Sequence, residues 1–103
     1  MEWIYDCRNL AEVREQIDRL DRAIVSLIAE RGLYVQQAAG FKHASDATED
    51  GKRTDQVMRR VSRLSGELGA DVALTAKIYR TMISHFAHSE RQEQLRQQQQ
   101  ESN

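Results

Sequence analysis

At 103 residues and a formal net charge of -1, the chain has room for one domain with an adequate but modest core. Proline is absent and glycine scarce, and Ala, Leu, Glu, Gln and Arg are abundant; this favours helices and leaves little turn chemistry for a sheet. Acids and bases are interspersed, so no global field points to nucleic acid or an anionic membrane, and any basic site must be local. A single cysteine, Cys7, excludes an intrachain disulfide framework. The start MEWIYDCRNL lacks the basic and apolar regions of a signal peptide, and no apolar run approaches the roughly 20 residues of a membrane span. These features predict a soluble, cytoplasmic chain.

From Leu10, apolar residues recur at Val13, Ile17, Leu20, Ile24 and Leu27, then Tyr34, Ala38 and Phe41, in the alternating steps of three and four that mark a helix seam. The predicted helix is about 48 Å long at the α-helical rise and needs a partner along most of its length. Asn9 or Asp6 can cap its start. From His43 to Lys52 the seam dissolves into ASDATEDG, a loop followed by a helix start. A short second helix carries Val57, Val61, Leu64 and Leu68 on one face and ends near Gly66 and Gly69. A medium third helix begins near Ala70, with Leu74, Ile78, Tyr79, Met82, Ile83 and Phe86 as its buried face. The expected architecture is all-α, with three helices in one domain over residues 1–95 and a polar tail, residues 96–103, that frays or is disordered.

Each seam carries a charge where its period calls for an apolar residue. Arg31 falls between Leu27 and Tyr34, Arg53 lies four before Val57, and Glu90 lies four after Phe86. A buried unpaired charge costs several kcal/mol, so these groups must pair with one another or with a ligand. Arginines near helix ends also snorkel, and Glu90 could close an internal ion pair. The excess of cations suits a small anionic molecule better. Lys42 sits on the same side of the first helix as Arg31, roughly 16 Å further along, and both can reach one ligand. Arg14 lies about 25 Å from Arg31 and about 42 Å from Lys42 along the axis and cannot join them within one chain. Antiparallel pairing of the helix with its copy, about a twofold axis near Val25, brings the partner's Arg14 between Arg31 and Lys42.

The stretch LAEVREQIDRLDRAIVSLIAERGLYVQQAAGFK resembles the first helix of the all-α chorismate mutase family, and the likeness extends over about residues 10 to 94. It implies an intertwined helical homodimer with two pockets, in which the partner's Arg14 joins Arg31, Lys42, Asp50, Arg53, Thr54 and Glu90. Phe86, one turn before Glu90, is counted with the substrate-binding residues. Family mutases often carry Glu after the second-helix arginine, touching the substrate hydroxyl, where this chain has Thr54; Glu90 stands where most bacterial members have Gln, an alternative also found among mutases. The leading Asp-Cys pair, Tyr34-Val35, the Phe41-Lys42 end and the loop length also resemble the isochorismate pyruvate-lyase branch of the same fold.

The resemblance implies rearrangement of chorismate to prephenate, an intramolecular reaction needing no nucleophile, metal or cofactor. The protein holds a flexible dicarboxylate in its reactive conformer and stabilises charge as the ether bond breaks. Arg14 and Arg31 are assigned to the two carboxylates, with Arg53 assisting, and Lys42 and Glu90 to the ether oxygen. The alternatives are cleavage of isochorismate to salicylate and pyruvate, and a non-enzymatic helical module using Arg59, Arg60 and Arg63. Those arginines lack interleaved aromatic residues for nucleic-acid stacking and fit a solvated helix face. His85 and His88 stand three apart but have no third metal ligand in sequence, and Cys7 has no evident base.

Overall fold

A computed structural model describes residue 4, residues 6–42 and residues 47–101, with the side chains of 47–49 left aside. It contains three helices: α1, Leu10–Gly40; α2, Ala47–Leu68; and α3, Val72–Glu101. The first part of the expected loop, residues 43–46, lies outside the described residues, and its second part is already helix. With 22 and 30 residues, α2 and α3 are longer than expected, and α3 nearly equals the 31 residues of α1. By Cα proximity the chain divides into two compact units, Met1–Tyr34 and Val35–Asn103.

The first unit contains most of α1. Asn9 caps the helix, its Oδ1 accepting the Glu12 N–H at 3.0 Å, while the Glu12 carboxylate reaches back to accept the Arg8 N–H at 2.8 Å. This reciprocal arrangement resembles a capping box and satisfies donors that a helix start leaves open. The seam read from the sequence is present but uncovered in the single chain: Ile17 is 50% exposed, Ile24 53% and Leu27 63%.

In the second unit α2 packs against α3. Among the described side chains of α2, Val57, Val61 and Ser65 are buried, and the Ser65 hydroxyl donates to the Val61 carbonyl at 2.8 Å, which removes the cost of burying it. Helix geometry explains which neighbours share this stripe. Counting about 100° per residue from Val61, Thr54 and Ser65 lie about 20° and 40° to one side, whereas Leu64 and Arg53 lie about 60° and 80° to the other. Thr54 is accordingly half-buried, and Leu64 and Arg53 are exposed. A row of four-residue steps drifts around the helix, so the inward direction expected for Arg53 is corrected. On α3 the half-buried face is Thr75, Ala76, Tyr79, Met82, Ile83, Phe86 and Glu90, with Leu74 and Ile78 exposed beside it.

Gly69 ends α2 with a positive φ of 76°, and the Ala70 N–H donates to the Ser65 carbonyl at 2.8 Å, the six-to-one bond of a Schellman motif. Asp71 then caps α3 by accepting the Leu74 N–H at 3.0 Å, so three residues suffice to fold α3 back along α2. At its other end α3 continues to Glu101. Every side chain from 91 to 101 is exposed, in keeping with a stretch whose one apolar residue, Leu95, is itself 48% exposed. Gln, Glu and Arg are nevertheless good helix formers, so loss of burial does not end the helix.

Two glycines three residues apart should respond oppositely to alanine. Nothing lies within 4 Å of a Cβ added at Gly66, so Gly66→Ala should raise unfolding free energy by about 0.5 to 1 kcal/mol. Gly69→Ala should lower it by about 1 to 2 kcal/mol because of its left-handed backbone. Urea unfolding of both variants checks the pair.

Candidate active site

The C-terminal turn of α1 delivers Lys42 to the second unit's cleft. Phe41 N–H donates to the Ala38 carbonyl at 3.1 Å and Lys42 N–H to the Ala39 carbonyl at 3.2 Å, so the last turn tightens to three-residue bonds as the helix ends. The Lys42 ammonium then lies 3.4 Å from an Asp50 carboxylate oxygen and 3.7 Å from a Glu90 carboxylate oxygen. One cation thus links the end of α1 to the start of α2 and the middle of α3. The Glu90 side chain is 23% exposed, that of Lys42 35% and that of Asp50 49%, so the cluster is shielded on its α3 side and open to water at Asp50.

A cleft of about 840 Å³ opens beside this cluster, within the usual small-molecule range of about 300 to 1,000 Å³. Val35, Ala39 and Lys42 line it from the α1 end, and Phe86 and Glu90 from α3. The His85 and Phe86 rings meet edge-on, with centroids 5.5 Å apart and an interplanar angle of 85°. The cleft continues along α3 past Glu90 to Glu93, Arg96 and Gln97.

Of the residues picked out from the sequence, Lys42, Phe86 and Glu90 come together in this cleft, and Asp50 joins them through its ion pair. Thr54 is half-buried and is not among the residues that line the cleft. Its hydroxyl donates to the Asp50 carbonyl at 3.0 Å, so its proton is committed and its oxygen is left to accept. Arg53 is exposed and does not line the cleft. Arg14, exposed, and Arg31, half-buried, belong to the first unit. The sequence reading missed Val35, Gln36, Ala39, Ser89, Glu93, Gln94, Arg96 and Gln97 as cleft residues. The step of four and then seven from Phe86 through Glu90 to Gln97 was the available signal, hidden by reading the polar end of the chain as a tail.

Residues 13–91 match the family described as Chorismate mutase type II. The chain belongs to this family. Among its relatives, the isochorismate pyruvate lyase of Pseudomonas aeruginosa is 32% identical over 81 residues, covering 79% of this chain and 80% of the relative. The chorismate mutase of Methanocaldococcus jannaschii is also 32% identical, over 78 residues, covering 75% of this chain and 79% of the relative. The all-α three-helix architecture and the family expected from the sequence are borne out, while the relatives carry names for two different reactions. Among the described residues no group of His, Cys, Asp and Glu is arranged to hold a metal ion, and no helix is long and apolar enough to cross a membrane.

Partly exposed ion pairs contribute little to folding, so Lys42→Met should change unfolding free energy by less than about 1 kcal/mol. Thermal and urea unfolding that leave the variant close to wild type would identify Lys42 as a residue kept for the cleft's chemistry; a larger loss would make it a structural strut.

Proposed function

We propose that the protein is a dimeric enzyme that rearranges chorismate to prephenate in the Lys42–Glu90 cleft. The observation that carries this reading is the position of the Lys42 ammonium between two carboxylates beside Phe86. The reaction breaks an ether bond and forms a carbon–carbon bond within one molecule, so positioning and charge stabilisation are the whole task. Lys42 places a point charge at the ether oxygen as negative charge grows there, an effect commonly worth about 3 to 4 kcal/mol per donor. Glu90 can donate a hydrogen bond to the same oxygen only as the neutral acid, since an ionised carboxylate can only accept. Phe86 supplies an apolar wall for the ring.

The cleft's own charges require help from outside the second unit. With Glu90 neutral, as donation requires, Lys42 and Arg96 among the lining residues are balanced by Glu93 and by Asp50 beside Lys42. Such a wall has no excess cation for a dicarboxylate. Arg31 and the partner's Arg14 supply it in a twofold dimer that buries the α1 seam. Thr54 accepts from the substrate hydroxyl.

A second reading is favoured by Thr54 itself. A mutase glutamate at this position can face the substrate hydroxyl with a full charge, whereas Thr54 is short and its proton is committed to Asp50. Isochorismate carries its hydroxyl on a different ring carbon, and the same cationic cleft could support its cleavage: the ether bond breaks while a ring hydrogen moves to the enolpyruvyl methylene, giving salicylate and pyruvate.

Incubation with each substrate, with detection of prephenate and salicylate, decides between the two; turnover of neither would overturn both. The dimer is tested by mixing inactive Arg14→Ala and Lys42→Ala proteins. One intact pocket per mixed dimer should restore about a quarter of wild-type activity for random subunit exchange, and no recovery despite exchange would exclude a shared pocket. Glu90→Gln, whose amide N–H donates without an ionisable proton, should keep activity within about tenfold of wild type, whereas Glu90→Ala should lose about a hundredfold; equal losses in the two variants would remove Glu90 from this role.

A further inference from the structure

The cleft's second cation is one that no part of the mechanism uses. Arg96 lines the same cleft as Lys42, Phe86 and Glu90, yet it lies beyond residues 13–91, the segment that matches the family. It is brought there because α3 continues as a helix to Glu101. Arg96 lies six positions after Glu90, or about 9 Å along the axis, which places it toward the outer end of a cleft whose inner end is marked by Lys42 and Glu90. Its present partner is Glu93, with Nη1 to Oε2 at 3.7 Å and side-chain exposures of 72% and 58%. That distance is well beyond the roughly 2.7 to 2.9 Å of a strong charge-assisted hydrogen bond, and so exposed a pair is readily exchanged for another acceptor.

We infer that Arg96 is an additional anion-binding residue of the cleft, taking the outer carboxylate of the incoming dicarboxylate in place of Glu93. The inference rests on the proposed function. A planar guanidinium can hold a carboxylate through two parallel N–H donors, which a lysine cannot do. The neutral balance of the lining charges makes each cation count, and Glu93 works against the ligand when Arg96 leaves it. The extension of α3 is thus a substrate-facing wall, and the Glu93–Arg96 pair sets the affinity with which a dianion is admitted.

The test is steady-state kinetics with chorismate and isochorismate at low and high NaCl, using Arg96→Gln, Arg96→Lys and Glu93→Gln. Arg96→Gln should raise KM about fivefold at low salt with kcat within about twofold of wild type, because a charge at the rim acts on encounter and binding. Salt should shrink this difference by screening the interaction. Arg96→Lys should recover part of the loss, and Glu93→Gln should lower KM. An unchanged KM in Arg96→Gln, alongside an active wild type, overturns the inference and leaves the proposed function standing. A fall in kcat and thermal stability with no change in salt dependence also overturns it, by making Arg96 structural. Absence of turnover by wild type on either substrate removes the inference together with the reading on which it rests.

Discussion

A helix of 31 residues cannot bury its own apolar face, and that constraint governs this protein. The seam from Val13 through Leu27 has the spacing of a buried stripe, yet its side chains remain substantially exposed in the single chain. Leaving such a stripe in water forfeits about 25 cal/mol for each square ångström that a partner could cover. The same helix carries Arg14 and Arg31 in one compact unit and ends at Gly40, two residues before Lys42, in the other. A second copy laid along α1 answers two separate needs in the proposed function: it covers the seam, and it brings a cation to a cleft whose own lining charges cancel.

The Lys42 cluster shows how little machinery such chemistry requires. Two carboxylates from different helices hold one ammonium, and the tightened last turn of α1 sets the position from which Lys42 reaches them. In an intramolecular reaction the demands are conformer selection and a charge at the breaking bond, so a nucleophile would have nothing to do. That economy explains how relatives named for a rearrangement and for a lyase can share one scaffold. Family membership supplies the scaffold, and the site built on it decides the reaction. In the proposed function that choice rests on Thr54, whose hydroxyl already donates to its own helix.

The far end of α3 belongs to the same argument. A polar sequence stops being buried without ceasing to be helical, and a helix that outruns its core can project side chains along a cleft. Glu93, Arg96 and Gln97 reach the cleft in this way, adding a wall beyond the family's matching segment. The weak pairing of Arg96 with Glu93 leaves a guanidinium available where a carboxylate-bearing ligand would enter.

Much of this was determined by the sequence alone. The period of α1, the Asn9 cap, the glycine stop at Gly69 and the recurrence of charges at Arg31, Lys42 and Glu90 are local signals, because helix geometry converts spacing directly into a face. The family was legible for the same reason, its motif lying mostly on one helix. Only tertiary structure decided which flank of α2 faces α3, turning Arg53 and Leu64 outward and Thr54 inward, since a four-residue row drifts by tens of degrees and packing selects where it is cut. Tertiary structure likewise joined Lys42 to both Asp50 and Glu90, groups 8 and 48 residues away in the chain. Periodicity cannot report such a meeting, because it depends on how separate helices close on one another.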